Sequence, residues 1–141
     1  MANKIDKIEE GLVKVLQGMK SGQPARTVFR EVKGYDDTTN PMPQAQVTFA
    51  GADIVNQETG GLAEVEWRFL VEGFFSWPSD RGYQQYKDFY AELPATVLGN
   101  QHLATGVLRW DWRERAEPDF NYEDKYVYAV IEVTVTTEEG G

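Results

Sequence analysis

Apolar and charged residues alternate between positions 63 and 72, and this is the clearest pattern in the chain. The odd positions are apolar, and the even positions are charged except for Leu70. The apolar positions are Ala63, Val65, Trp67, Phe69 and Val71. A period of two is the spacing expected of a β-strand that buries one face. The pattern therefore predicts a long strand whose other face meets water or a partner.

Two segments have helical periodicity instead. Near the N-terminus, apolar residues recur at three- and four-residue steps, and this pattern ends close to Ser21 and Gly22. Its apolar stripe consists of Ile5, Ile8, Leu12, Val15, Leu16 and Met19. A second helix is predicted after the capping residues of segment 76–80, with an apolar face formed by Tyr83, Tyr86, Phe89, Tyr90 and Leu93. Pro94 predicts either a kink near residue 93 or a division into two helical segments.

Four further strands complete the predicted secondary structure. They span residues 26–33, 44–49, 106–116 and 125–137, with a turn within 50–61 and long polar loops at 34–43 and 117–124. The order is helix, three strands, helix, two strands. We therefore predict an α+β fold, in which two main helices pack on one face of an antiparallel or mixed sheet of about five strands. Since no repeat or linker divides the chain, residues 1–141 are expected to form a single domain.

The aromatic residues of the strands have two interpretations. Trp67, Trp110 and Trp112 fall on the apolar sides of alternating strands, which favours packing in the core. Leu70 and Val130, however, interrupt the polar sides of their strands. Additional apolar surface of this kind favours an oligomer interface.

Composition limits the class of protein. With 41% hydrophobic residues the chain is too apolar to be disordered, and no apolar stretch reaches the ~18 residues of a membrane span. A formal net charge of −9 argues against a dedicated nucleic-acid-binding protein. The absence of cysteine excludes disulfides and thiol chemistry. The N-terminal segment lacks the apolar core of a secretory signal, so synthesis in the cytosol is expected.

Motifs that carry chemistry are missing from the sequence. His102 is the single histidine and belongs to no recognisable catalytic arrangement, so we interpret it as incidental. Carboxylate and amide residues alternate along 119–123 as at the start of a calcium loop, but the sixth position is Asp124 rather than glycine and the twelfth is Val130 rather than a carboxylate. We therefore expect no catalytic residue, no metal site and no cofactor, and we predict that the protein is not an enzyme.

The order of these elements resembles that of the tail terminator, or tail-completion, proteins of tailed bacteriophages. The shared features are an amphipathic first helix, two strands joined by a loop with prolines at 40–43, a long strand leading directly into a tyrosine-containing helix at 83–90, and two closing strands. The resemblance covers residues 4–137 and is one of architecture, size and charge. The proline within the helix and the tryptophan-rich fourth strand depart from the family's pattern.

The resemblance implies a virion structural protein that is made in the host cytoplasm and located in the tail or neck of the particle. Proteins of this family assemble as a ring of six that caps the tail tube, stops its growth and presents a surface to the head-tail connector. The implied partners are further copies of the chain, the tail tube protein and the connector protein, while DNA passes through the channel without specific binding. Membrane contact is not implied. The alternatives are another connector, neck or tube component, and a small-ligand-binding α+β domain.

The two long loops are the candidate interface segments. Long polar loops on a rigid sheet are common places for recognition, and both loops carry carboxylates suited to steering a partner or lining a channel. The candidate residues are Tyr35, Asp36, Asp37, Asp119, Phe120, Tyr122, Glu123 and Asp124.

Overall fold

The computed structural model describes residues 4–17, 27–29, 44–57, 61–98, 107–115 and 117–140. Within these ranges the chain forms two helices and six strands. The elements are α1 (Lys4–Gln17), β1 (Thr27–Phe29), β2 (Gln44–Gln57), β3 (Leu62–Ser76), α2 (Asp80–Leu98), β4 (Val107–Glu114), β5 (Asp119–Asn121) and β6 (Tyr126–Gly140). The fold is α+β, as the sequence pattern predicts.

All six strands belong to one sheet. Its order is β1-β2-β3-β6-β4, and β5 pairs with the first residues of β6. β1 is parallel to β2 and the other pairings are antiparallel, so the sheet is mixed. β3 and β6 pair over their full lengths, from Leu62 opposite Gly140 to Ser76 opposite Tyr126. Because β3 occupies one side of β6 throughout, β4 and β5 share the other side and form one edge of the sheet.

β2 is longer than its alternation predicts. The sequence pattern places its end at Phe49 and a turn within 50–61, yet the strand continues to Gln57. Its register against β3 shifts between Phe49 and Gly51 and again between Ile54 and Asn56. An extra residue in one strand reverses the side on which later residues fall, so a period of two is lost after Phe49. The predicted end of the strand at Phe49 is therefore wrong, and residues 50–57 belong to β2.

α2 runs through Pro94 as one helix, so division into two segments, one of the two predicted alternatives, is wrong. A proline inside a helix lacks one backbone donor and crowds the carbonyl four residues earlier. Phe89 and Leu93 are fully buried on the sheet, and Pro94 lies only one turn from the end of the helix. Tertiary packing therefore outweighs the local cost.

The core lies between the helices and one face of the sheet. α1 contributes Ile8, Leu12 and Leu16, and α2 contributes Phe89 and Leu93. The sheet contributes Ala45, Val47, Phe69, Val71, Phe75, Trp110, Val127, Ala129, Ile131, Val133 and Val135. Burying one large apolar side chain stabilises the fold by roughly 1.5–3 kcal/mol, so this layer is the main source of stability. Both helices cover one face, as predicted.

The tryptophans of the strands differ in burial. Trp110 is buried in the core, and Trp67 is partly buried and packs against the core. The Trp67 Nε1 donates a hydrogen bond to Thr137 Oγ1 at 2.9 Å. Trp112 is 36% exposed, so its predicted core position is wrong. Trp110 and Trp112 lie two residues apart on β4, so alternation alone assigns them to the same side and does not distinguish the buried ring from the exposed one.

Candidate functional site

Exposed aromatic side chains gather where β3, α2 and β5 meet. The ring of Trp77, which follows β3, has its centroid 4.8 Å from that of Phe120, 5.6 Å from that of Tyr122 and 5.8 Å from that of Tyr83. Tyr83, Phe120 and Tyr122 are exposed while Trp77 is half-buried between them. We call these four residues the aromatic patch.

The start of α2 fixes Tyr83 beside Trp77. Ser79 caps the helix, since its Oγ accepts a hydrogen bond from the Gly82 backbone N at 2.9 Å and its carbonyl accepts one from the Tyr83 N at 2.9 Å. Gly82 lies against the end of β3, where an added Cβ would stand 1.9 Å from the Ser76 carbonyl oxygen. A glycine at this position therefore lets the helix turn back directly over the strand, as the capping sequence predicts.

A tight turn at 122–125 fixes the other half of the patch. The Asp124 backbone N donates to Asn121 Oδ1 at 2.8 Å, and Lys125 has a φ of 60°, in the left-handed region. The Trp77 backbone N donates to the Lys125 carbonyl at 3.1 Å. This hydrogen bond joins the turn to the end of β3 and holds Phe120 and Tyr122 against Trp77.

Two tyrosines of α2 connect the patch to the core. The Tyr86 ring lies 5.6 Å from that of Phe120 and 6.2 Å from that of Phe75 in the core. Burial, followed by the nearby Glu114 carboxylate, raises the pKa of Tyr86. The same two causes raise the pKa of Tyr90 well above its ordinary value. Both phenols therefore stay neutral in the range where most proteins work, and they support the patch as packing residues.

The described candidate residues lie together on this surface. Asp119, Phe120, Tyr122, Glu123 and Asp124 are all exposed. The predicted loop at 117–124 contains the short strand β5 and most of the turn, so it is more ordered than a polar loop. Tyr35, Asp36 and Asp37 lie outside the described residues.

Sequence reasoning missed two members of the patch. It assigned Tyr83 to the apolar face of the helix, and it placed Trp77 only within the capping segment 76–80. Tyr83 is 42% exposed, and it lies in the first turn of α2, beside the end of β3. The sequence did contain a signal for this contact, because Trp77 precedes the helix and Tyr83 closes its first turn.

The face of the sheet opposite the helices carries a polar groove of about 510 Å³. Its residues on β3 and β6 alternate with the core residues and therefore point away from the helices. The lining residues are Ala50, Asp53, Glu66, Arg68, Leu70, Asp111, Trp112, Arg113, Arg115, Glu132 and Thr134. Leu70, which interrupts the polar side of its strand in the sequence, is one of these lining residues.

Ion pairs occupy the groove. Arg113 and Arg115 lie 3.1 and 3.5 Å from the two carboxylate oxygens of Glu132, and Arg68 pairs with Asp53. Nearby, Arg109 lies 3.6 Å from Asp111 and 3.9 Å from the Glu66 carboxylate. Carboxylates held by guanidinium groups are poor general bases, so this geometry favours structural and recognition roles.

The described residues offer little for metal or membrane chemistry. Within the described ranges, histidine and carboxylate side chains form no group of three or more that could hold a metal ion. None of the helices described has the length and apolar character needed to cross a membrane.

Comparison with known proteins gives a similarity of fold. The chain matches no protein-family model and no curated protein. Among solved structures it is similar to a chain of the virion of a native gene transfer agent particle, with a TM-score of 0.57 and 13% sequence identity. The match covers 99% of this chain and 100% of that chain. At this identity the similarity shows a shared fold, and it extends over nearly the whole length of both chains.

Proposed function

We propose that the protein is a structural component of a phage-like virion, and specifically a tail terminator. In this role it assembles as a ring, with six copies as the expected number, caps the completed tail tube and joins it to the head-tail connector. The observation that carries the proposal is the full-length match of fold to a chain of a virion particle. The order of elements in the sequence supports the same assignment independently.

The surface of the molecule suits assembly. Exposed aromatic side chains are enriched at protein interfaces because they bury a large area with few rotatable bonds. The aromatic patch lies beside three exposed carboxylates of Asp119, Glu123 and Asp124. We assign the patch and these carboxylates to contact with the tail tube or the connector protein. The carboxylates would also steer the approach of a partner with a basic surface.

The charge of the chain suits a channel through which DNA passes. The formal net charge is −9, and the arginines that line the groove are held by neighbouring carboxylates. A surface of this kind has little affinity for phosphate groups, which bind unpaired basic residues. The role requires neither cofactor nor catalytic residue, so the proposed protein is not an enzyme.

A second candidate is a small-ligand-binding domain, which the groove of about 510 Å³ favours by its size. The residues that line the groove argue against ligand binding. Ligand pockets are mainly apolar, whereas this groove is lined largely by ion-paired side chains. A different connector, neck or tube component is a closer alternative, because it would have the same kind of surface.

Electron microscopy and mass measurement of the purified protein, alone and with tail tube protein, test the proposal. A tail terminator should give closed rings that sit at one end of each tube and stop its elongation. Open filaments of the protein alone would identify a tube component instead. A monomer that binds neither tube ends nor connector would contradict the proposal, whereas a monomer that forms rings only on tube ends would agree with it.

A further inference from the structure

The aromatic patch already holds one cation. The Lys87 Nζ lies 4.7 Å from the centroid of the Tyr83 ring, within the ~6 Å over which a ring face attracts an ammonium group. Lys87 follows Tyr83 by one turn of α2, so this contact shows which chemistry the rings accept rather than which partner they bind. An aromatic ring carries negative charge on its face. A surface made of four such rings therefore favours a positively charged side chain.

The chain segment beside the rings is negatively charged. Residues 117–125 contain four carboxylates and one ammonium group, which gives a formal charge of −3. Within the described part of the chain, none of these four carboxylates forms an ion pair. They belong to Glu117, Asp119, Glu123 and Asp124, which are all exposed. In this respect the segment differs from the groove, where arginines hold the carboxylates, and its charge is complementary to that of a basic partner.

The other side of the patch has the same sign of charge. The Glu114 carboxylate lies near Tyr86, whose ring contacts that of Phe120. Arg81 is exposed and precedes Tyr83 by two residues. Successive residues turn by about 100° around an α-helix, so Arg81 points to a different side of α2 from Tyr83. Carboxylates therefore lie near the rings from two directions.

The orientation of the rings favours an inserted side chain over a flat ligand. The rings of Tyr83, Phe120 and Tyr122 are tilted by 62°, 61° and 70° to that of Trp77. A nucleobase stacks on a ring that lies parallel to it, and none of these three rings continues the plane of Trp77. Rings that meet at an angle present their faces to one group from several directions, as in the aromatic cages that bind cations.

We propose that the aromatic patch and the carboxylates of Glu123 and Asp124 bind an arginine side chain from a basic segment of another protein. A guanidinium group is planar, so it stacks on aromatic faces while its N–H groups donate to carboxylates. A second copy of this chain is a poorer occupant, because many of its own described arginines already hold carboxylates. These arginines are Arg68, Arg109, Arg113 and Arg115. The inference deepens the proposed function and rests on it for the identification of the partner as a virion protein.

Binding of short peptides to the full chain tests this site without a tail tube. One peptide carries two arginines, and the other carries citrulline at the same positions, which keeps the planar group and removes its charge. Titration followed by NMR should shift the resonances of the aromatic patch on addition of the arginine peptide. The citrulline peptide should bind roughly tenfold more weakly, because it lacks the cation–π and ionic attraction. Binding of the arginine peptide should also weaken as salt rises.

Matched variants assign the binding to the rings. Tyr122→Leu should weaken binding of the arginine peptide by about fivefold, whereas Tyr122→Phe keeps the ring and should bind normally. Trp112→Leu removes an exposed ring outside the patch and should have no effect. Lys87→Gln should strengthen binding, since it frees the face of Tyr83. Lys14→Gln, which removes the same charge from an exposed position of α1, should change binding less, and circular dichroism checks that each variant is folded.

The outcomes separate this inference from the proposed function. Equal binding of the two peptides, or binding of neither, would overturn the inference. Self-association of the protein that Tyr122→Leu abolishes would assign the patch to a second copy and overturn it as well. Rings on tube ends formed by a protein that does not bind the arginine peptide would overturn it while leaving the tail terminator role intact. Arginine binding by a protein that never caps a tube would support the inference and contradict that role.

Discussion

Arg113 Nη2 lies 3.1 Å from Glu132 Oε1, although the Glu132 side chain is only 4% exposed and that of Arg113 is 69% exposed. Arg115, also largely exposed, lies near the other carboxylate oxygen. A carboxylate in the central strand is thus buried beneath two guanidinium groups from the edge of the sheet. The pairing fixes arginines of the β4 edge in position without removing them from water.

Removing both guanidinium groups should destabilise the fold through the carboxylate that remains. Arg113→Ala/Arg115→Ala leaves Glu132 buried without its ion-pair partners, and we expect a loss of about 1–2 kcal/mol. This is less than the ~3–5 kcal/mol of a fully buried pair, because both guanidinium groups are largely in water. Urea denaturation measures the change. Adding Glu132→Gln to this double variant should restore part of the lost stability, because it removes the buried charge. A triple variant that is less stable than the double variant would show that the arginines act by packing alone.

Truncation of the tryptophans should separate core from edge. Trp110→Ala should cost about 3–5 kcal/mol, because Trp110 is 7% exposed and packs in the core. Trp112→Ala, at the exposed edge, should cost less than about 1 kcal/mol. Chemical denaturation of both variants measures the difference. If both variants lost the same amount of stability, the Trp112 ring would also be covered in solution.

Gly82→Ala should reverse the usual effect of removing a helical glycine. At an open helix position this substitution stabilises by roughly 0.5–1 kcal/mol. Here the added Cβ would stand 1.9 Å from the Ser76 carbonyl oxygen, so β3 and α2 must separate. We expect a loss of about 2 kcal/mol or more, measured by thermal and urea unfolding. The control Ala91→Gly, on the exposed face of the same helix, should cost about 1 kcal/mol, and stabilisation by Gly82→Ala would contradict the close approach.

Stability should decrease at high pH through two half-buried tyrosines of α2. Burial raises the folded-state pKa of Tyr86 and Tyr90 above the unfolded value of about 10. Their neutral forms therefore stabilise the fold fully below pH ~10, and this contribution is lost as the pH rises above it. Denaturation at pH 8 to 11 should show this slope. Tyr86→Phe/Tyr90→Phe should reduce the slope, and an unchanged slope in this variant would contradict the prediction.

The sequence predicted the parts of this structure that depend on local periodicity. The alternation around Phe69 and Val71 correctly assigns their buried face, and the helical stripe correctly places Ile8 and Leu12 in the core. The far half of β2 was missed because the register shifts near Gly51 change the phase of alternation. Alternation also gives Trp110 and Trp112 the same side of β4, so it could not predict that one ring is buried and the other exposed.

Only the part of the candidate site that lies in one continuous segment was predicted from the sequence. The sequence predicted a recognition segment at 117–124, because the segment is a long polar loop that carries carboxylates. Its contact with Trp77 depends on β5 pairing with β6 and on the backbone hydrogen bond from Trp77 to Lys125. Pairings between residues far apart in sequence are decided by the whole fold rather than by either segment. The sequence therefore identified Phe120 and Tyr122 as candidate residues, and the structure added Trp77 and Tyr83.

Removing charge from the turn should impair assembly without impairing folding. Asp119→Asn/Glu123→Gln/Asp124→Asn neutralises three exposed carboxylates beside the aromatic patch. Each change should alter stability by less than about 0.5 kcal/mol, and the Asn121 side chain that caps the turn is retained. We expect near-normal unfolding but weaker binding to tail tube or connector protein, because electrostatic steering is reduced. Particle-joining yield and binding rate at low and high salt measure the effect.

A matched variant separates the position of these charges from their number. Glu64→Gln/Asp88→Asn/Glu138→Gln also removes three negative charges, from β3, α2 and β6, away from the turn. It should assemble as well as the unmodified protein if the turn carries the recognition. The difference between the two variants should shrink as salt rises, because exposed charges are screened over about 10 Å at 0.1 M ionic strength. Equal assembly by both variants would mean that the turn is a solvated surface and that the partner binds elsewhere.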